Sequence, residues 1–186
     1  MTRNVRVSIF VLVGLVAAVA PALPRSAAAA SAEEIRRNSA TALQNLYAKE
    51  TAAKLLGEKA KGILVFPSIV KGGFMVGGQI GEGSLWKKGR VAGYYNSVAA
   101  SYGLQAGLQT FGYALFFMND EALKQLDATK GFEIGVGPTI VVVDKGAAKS
   151  MTSNTLTSDV YAFIFSQKGL MAGIGIQGSK ITRIAK

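Results

Sequence analysis

The stretch GILVFPSIVKGGFMVGGQIGEG, residues 62–83, alternates short runs of β-branched and aromatic residues with glycine. Such runs predict strands, and the lysine–glycine sequences between them predict turns at 71–73, 88–89, 130–131, 144–146 and 168–169. The same texture continues to the C-terminus, so many short strands are expected. The predicted strands lie at 63–66, 73–80, 91–95, 101–118, 132–143, 159–166, 170–176 and 180–184. This number of short, glycine-punctuated strands predicts a strongly curved, antiparallel, barrel-like sheet.

One long helical stretch precedes the strands, from Ser31 to about residue 61. Ser31 followed three residues later by Glu34 is a capping-box pattern. The apolar residues that fall roughly on one face of this stretch are Ile35, Leu43, Leu46, Tyr47 and Leu56. A short helix is predicted from Asn119 to Ala128, capped by Asn119 or Asp120. We therefore predict an α+β fold in which an N-terminal helical arm packs on the curved sheet and one short helix is inserted near 119–128.

A five-residue pattern, Gly-[Phe/Leu]-x-[Val/Ala/Ile]-Gly, occurs four times, at 73–77, 103–107, 131–135 and 169–173. In a strand it would place both glycines on one face and two apolar residues on the other. Strand glycines most often mark bends or bulges, so a structural role at the corners of the sheet is favoured. A groove in which a ligand closely approaches the backbone is the functional alternative.

The first thirty residues have the organisation of a secretory signal peptide. Arg3 and Arg6 precede an apolar run at 7–20, and small residues offer cleavage after Ala30 or Ala32. An uncleaved anchor is the alternative, but the run is shorter than the ~20 residues that a spanning helix needs. We expect a cleavable signal peptide at 1–30 and a single domain at 31–186. The mature protein, with 18 cationic and 11 acidic side chains, would be exported to the periplasm or cell envelope and attached peripherally.

Composition excludes several kinds of chemistry. The chain has no histidine and no cysteine, which removes the commonest general base, thiolate metal sites and disulfides. The sequence at 173–178 fits G-x-G-x-x-G but has no following helix, and Ser84-Leu-Trp-Lys87 fits S-x-x-K without the companion motifs of the serine acylases. The acidic residues are scattered. We expect no enzyme activity, no cofactor and no metal, and export argues against nucleic acid as a partner.

The strongest local signal for binding is Trp86-Lys87-Lys88-Gly89-Arg90, at a predicted hairpin turn. Tryptophan favours the membrane–water interface, and cations near an anionic lipid surface are attracted to it. The alternative is a solvated turn with Trp86 in the core. The candidate lipid-binding residues are Arg36, Arg37, Lys54, Lys59, Lys61, Lys71, Trp86, Lys87, Lys88 and Arg90.

Four blocks resemble, in order, the SYLF domain, a lipid-binding module. They are AKGILVFPSIVKGGFMVGGQIGEG (60–83), SYGLQAGLQTFGYALFFMNDEAL (101–123), FEIGVGPT (132–139) and YAFIFSQKGLMAGIGIQGS (161–179). The resemblance implies phospholipid binding, with phosphoinositides the best-known ligands of eukaryotic members, some of which also bind actin. It also implies that part of 33–60 is an amphipathic helix, which either inserts into the membrane or packs on the sheet.

These observations favour an exported peripheral protein that recognises acidic phospholipid membranes through basic residues and an amphipathic helix, without catalysis. One alternative is a structural envelope protein that binds another protein. A less favoured alternative is a lipid-ester hydrolase that uses either the scattered carboxylates or Ser84 and Lys87. Actin is not expected as a partner, because an exported chain does not meet cytosolic actin.

Overall fold

A computed structural model describes residues 30–128, 131–143, 148, 151, 156–169 and 175–186. The predicted signal peptide up to residue 29, the predicted turn at 144–146 and most of the predicted strand at 170–176 lie outside these residues. The helices are α1 (Ala32–Lys49), α2 (Thr51–Lys59) and α3 (Asp120–Gln125). The strands are β1 (Gly62–Lys87), β2 (Arg90–Phe117), β3 (Phe132–Glu133), β4 (Ile140–Val142), β5 (Val160–Gly169) and β6 (Lys180–Ile184).

Both predicted helix starts are confirmed by their caps. The Ser31 side chain accepts a hydrogen bond from the Glu34 amide, 3.2 Å away, at the start of α1. The Asn119 side chain accepts one from the Ala122 amide, 2.8 Å away, at the start of α3. The long helical stretch breaks at Glu50, which has an extended backbone and separates α1 from α2.

The centre of the fold is one long two-stranded antiparallel ribbon. β1 and β2 are 26 and 28 residues long and pair from Gly62–Phe117 to Lys87–Arg90. The separately predicted strands at 63–66 and 73–80 are therefore one strand, and the turn expected at residues 71–73 is a bend within it. The register shifts there, between Gly73 and Met75. A glycine pair in a sequence can mark such a bulge as well as a chain reversal, which explains the error.

The ribbon folds back so that the two halves of β1 lie against each other. A Cβ atom on Gly81 or Gly83 would collide with the carbonyl oxygen of Ser68 or Val65, respectively. A Cβ on Gly62 would lie 3.3 Å from a methyl carbon of Leu85. The hairpin turn therefore returns to the start of β1, and the bend forms the opposite end of the ribbon. We call residues 70–80 of β1 and 98–108 of β2 the ribbon tip.

The remaining strands extend the free edge of β2. β5 pairs with residues 109–117 and β6 with residues 94–98, both antiparallel, while β3 joins β6. β4 joins β5 in parallel and is the exception to the expected antiparallel order in the described sheet. The strand predicted at 132–143 is two short strands, because Gly135 and Gly137 adopt φ values of 104° and 103° between them. The predicted α+β fold with a strongly curved sheet is confirmed.

Two hydrophobic cores lie on opposite faces of the ribbon. The inner core fills the fold of the ribbon and includes Phe66, Phe111 and Tyr113. The outer core lies beneath α1 and α2, where Leu46 and Leu56 pack against the sheet. The apolar face of the helical arm is thus buried on the sheet in this structure.

The glycine repeat has the favoured structural role in the copies that the structure describes. Gly73 and Gly107, from the first two copies, pair across the ribbon at the bend. A Cβ on Gly73 would collide with the Cα of Gly77, the other glycine of its copy. Gly131 and Gly169 have φ values of 79° and 113°, which disfavour any side chain. Only residues 132–133 of the third copy are in a strand, so its expected strand geometry is corrected.

Candidate membrane-binding surfaces

The fold of the ribbon gathers cations that are distant in sequence. Because Gly62 meets Leu85, Lys61 lies at the same end of the molecule as the Lys87–Arg90 turn. Lys61, Lys88 and Arg90 are exposed and Lys87 is half-buried. None of these four belongs to an ion pair among the described residues. We call Lys61, Lys87, Lys88 and Arg90 the basic end.

The hairpin turn has the geometry that its sequence predicts. Lys88 and Gly89 have φ values of 51° and 75°, the left-handed pair that a two-residue hairpin requires. The turn therefore presents Lys88 and Arg90 to solvent. Lys88 lies in the turn itself, and Arg90 begins β2 and pairs with Lys87.

The predicted helix cations are exposed, and Arg36 forms an ion pair. The Arg36 guanidinium donates a hydrogen bond of 2.7 Å to the Glu33 carboxylate, which lowers the pKa of Glu33 and raises that of Arg36. Arg37, Lys54 and Lys59 are also exposed. The helical arm therefore offers cations outward while its apolar face is occupied by the sheet.

Two predicted residues, Trp86 and Lys71, are not part of the basic end. Trp86 is half-buried and packs against the outer core, and its buried Nε1 atom has no hydrogen-bond partner within the described part of the chain. This placement matches the alternative interpretation, in which the ring is part of the core. Lys71 lies near the ribbon bend, paired in register with Gln109, and is 8% exposed. The sequence-predicted residues are thus divided among the basic end, the helical arm, the outer core and the ribbon bend.

The ribbon tip carries exposed apolar side chains that sequence reasoning missed. Leu108, Val76 and Ile80 are 66%, 63% and 58% exposed, and Val70 and Val98 are 42% exposed. Val76 and Ile80 alternate with Gly78 on one face of β1. The alternation is visible in VGGQI, but it does not reveal which face is outward. Gln79, on the other face, is buried and donates a hydrogen bond of 2.8 Å to the Ser179 hydroxyl.

Lysines border the ribbon tip on both sides. Ile80 pairs with Val98, and Val98 pairs with Lys180 on β6. Paired residues share a face of a sheet, so these three side chains form one row across three strands. Val70, Thr110 and Lys168 form an equivalent row across β1, β2 and β5. Lys168 and Lys180 are exposed and outside every ion pair of the described residues.

The geometry does not assemble the Ser84–Lys87 pair considered for catalysis. The two residues are three positions apart in one strand, so their side chains leave opposite faces. Ser84 Oγ is buried and has no hydrogen-bond partner among the residues that the structure describes. Within the described part of the chain, no three acidic side chains gather as a metal site.

A cleft of about 700 Å³ lies between the end of α1 and β4–β5. Leu46, Val143 and Phe163 supply apolar walls, and Lys49 and Glu50 lie among its polar lining. Ser166, also on the lining, has a φ of 53° where two residues of β5 oppose Phe111. This bulge explains the unusual backbone conformation, so the conformation does not itself indicate a ligand.

The described residues form an α+β fold whose surface carries exposed cations and a cluster of exposed apolar side chains. Residues 98–185 match the sequence model of the family described as Ysc84, Las17-binding protein actin regulator. This family is that of the SYLF domain, and the match over residues 98–185 confirms the resemblance drawn from the four blocks. The match begins within β2, and the block at 60–83 precedes it. No curated protein matches the chain.

The family supports a binding module related to lipids or to actin regulation. None of the described helices is long and apolar enough to cross a bilayer. The choice between these kinds of partner therefore depends on the surfaces.

Proposed function

We propose that the protein is exported, acts without catalysis, and binds anionic phospholipid surfaces peripherally in the periplasm or cell envelope. Binding would use its exposed basic residues, including those on the helical arm. Export is supported by the signal-peptide pattern of residues 1–30. Absence of catalysis is supported by the separation of Ser84 from Lys87 on opposite faces of β1.

The observation that carries the proposal is the set of exposed cations without acidic partners. Lys61, Lys88 and Arg90 at one end and Lys168 and Lys180 at the other lie outside the described ion pairs. Each cation near an anionic bilayer contributes roughly 1 kcal/mol of attraction. Several such residues are enough for reversible membrane association.

In this proposal the amphipathic arm stays packed on the sheet and does not insert into the membrane. Leu46 is 4% exposed and Leu56 is fully buried, so their burial on the sheet would be lost if the arm entered lipid. The arm instead contributes through Arg37, Lys54 and Lys59 on its solvent face. It adds charge attraction while remaining packed.

Co-sedimentation of the purified protein with vesicles tests this proposal. Vesicles of phosphatidylglycerol mixed with phosphatidylcholine are compared with phosphatidylcholine alone, at low and high salt. We expect selective binding to the anionic vesicles that weakens as salt rises, because screening shortens the reach of charge to about 10 Å at 0.1 M. Absence of binding to the anionic vesicles at low salt would contradict the proposal.

A protein partner is the second candidate, favoured by the family description, which names Las17 binding and actin regulation. An exported chain would meet an envelope protein rather than cytosolic actin. This candidate predicts a recoverable complex after cross-linking in cells and no affinity for protein-free vesicles. The co-sedimentation experiment separates the two candidates.

A further inference from the structure

We infer that the ribbon tip enters the interface of an anionic phospholipid bilayer, whereas the basic end and the helical arm stay outside the interface and contribute only charge attraction from there. The inference rests on the proposed function and names the surface that performs it. Its partner is a bilayer with anionic headgroups.

The first support is the apolar character of the tip on both sides of the bend. Leu108 and Val70 are exposed on one side of the bend, and Val76, Ile80 and Val98 are exposed on the other side. Residues 70–80 and 98–108 contain one charged residue, Lys71, which is largely buried. Exposed apolar clusters of this kind mark protein or membrane contacts.

The second support is charge complementarity. The two cross-strand rows described above end at Lys168 and Lys180, one on each side of the tip. With the apolar residues in the interface, these lysines would lie behind them, at the level of the headgroups. The nearest acid along β1, Glu82, is 2.9 Å from the ammonium of Lys186 and is thereby neutralised. A neutral, apolar protein partner would leave both lysines without a counter-charge.

The backbone sets the depth of contact. β1 and β2 pair with each other through the tip, for example at Gly72–Leu108 and Val76–Tyr102. The outer edges of the two strands lack a described partner strand there, because β6 pairing ends at Val98 and β5 pairing begins at Gln109. Unpaired backbone groups are costly in hydrocarbon. The tip should therefore stop at the headgroup–acyl boundary, ~5–10 Å deep, as amphipathic elements do.

The same edges could instead accept a strand from a second copy of the chain. The bend disfavours this, because the register shift between Gly73 and Met75 interrupts the straight edge that strand addition needs. Self-association through the tip is therefore an outcome that the experiment must detect.

The experiment uses the absence of cysteine from the natural sequence. Ala100→Cys at the tip, Arg90→Cys at the basic end and Gln44→Cys on α1 each place one exposed thiol for a polarity-sensitive dye. Vesicles are the same phosphatidylglycerol mixture, and total binding is measured in parallel by co-sedimentation. We expect a blue shift and protection from an aqueous quencher for the Ala100→Cys probe alone.

A second set of variants measures the apolar contribution. Val76→Thr, Ile80→Thr and Val98→Thr together keep β-branched side chains but add hydroxyls, and should weaken vesicle affinity by about tenfold or more. Val136→Thr with Val142→Thr, at exposed valines outside the tip, is the matched control and should leave affinity unchanged.

The outcomes separate the two claims. If the protein binds vesicles but the shift occurs at Arg90→Cys or Gln44→Cys and not at Ala100→Cys, the tip is excluded and the proposed function stands. If the protein does not bind the anionic vesicles, both claims fail. A dimer in solution that the triple threonine variant dissociates would assign the tip to self-association and overturn the inference.

Discussion

Gly83 lies against the backbone of Val65 so closely that a Cβ atom on Gly83 would collide with the Val65 carbonyl oxygen. The contact joins the two halves of β1 where the ribbon folds back on itself. It therefore places the ribbon tip and the basic end at opposite ends of the ribbon. We predict that Gly83→Ala destabilises the protein by about 1–3 kcal/mol, the usual cost of an overpacked site. Thermal or urea unfolding measures this loss.

Gly78→Ala is the control for that substitution. Gly78 lies on the same strand, but its Cβ would be 3.5 Å from the nearest atom, the Ala99 carbonyl oxygen, which is ordinary contact. Equal stability of the two alanine variants would show that the two halves of β1 do not lie against each other as described.

The packing of the helical arm predicts a stability effect. Leu56 is fully buried in the outer core, so Leu56→Ala should lower the free energy of unfolding by about 2–5 kcal/mol. Lys54→Ala, on the exposed face of the same helix, should change it by less than about 0.5 kcal/mol. Urea unfolding compares the two. A neutral Leu56→Ala would mean that the arm is not held on the sheet and is available for insertion.

The buried hydroxyl of Ser84 predicts a gain in stability. Ser84 Oγ has no hydrogen-bond partner among the described residues, so Ser84→Ala removes a buried polar group and should stabilise the fold by about 1 kcal/mol. Ser97→Ala is the matched control, because Ser97 Oγ accepts a 2.7 Å hydrogen bond from buried Tyr113, and its loss should destabilise. An ester hydrolysis activity that disappears in Ser84→Ala would establish the hydrolase alternative.

Alkaline pH should weaken the fold through its buried tyrosines. Burial raises the pKa of Tyr47 to about 12, with a contribution from Glu58, and raises the pKa of Tyr113 and of Tyr95 further. The folded state therefore keeps these protons when the unfolded chain begins to release them near pH ~10. The free energy of unfolding should be maintained below that pH and fall as the pH rises toward 12.

Urea unfolding across that pH range provides the measurement, with Tyr47→Phe as the comparison. The variant has no phenol to ionise at this position and should lose stability less steeply. Stability that stays constant between about pH 9 and pH 12 would be incompatible with the burial of these side chains.

Local signals predicted the elements better than their connection. The caps at Ser31 and Asn119 were recognisable because they involve residues three positions apart. At the bend near Gly73 the sequence predicts a turn, because a glycine pair permits either a reversal or a bulge. Only the long-range pairing with Gly107 distinguishes the two.

The surfaces show the same limit. The sequence predicts Lys61 and Arg90 as separate candidates. Their common location depends on the folding back of β1 on itself, which no local pattern encodes. The exposure of Val76 and Ile80 was missed for a related reason. Apolar alternation shows that Val76 and Ile80 share a face of the strand, but it does not show whether that face is buried. Nothing in the sequence indicates that the face of the neighbouring Gln79 is the buried one.

The most direct test of the account compares charge reversal at the two ends. Lys168→Glu with Lys180→Glu, beside the ribbon tip, and Lys87→Glu with Lys88→Glu, at the basic end, make the same change in net charge. Affinity for anionic vesicles is measured for both at low and high salt. We expect the tip pair to lose affinity by at least about tenfold, since each lysine near the surface contributes roughly 1 kcal/mol. The basic-end pair should lose less, and only at low salt. A greater loss at the basic end, or no vesicle binding by the unmodified protein, would contradict the account.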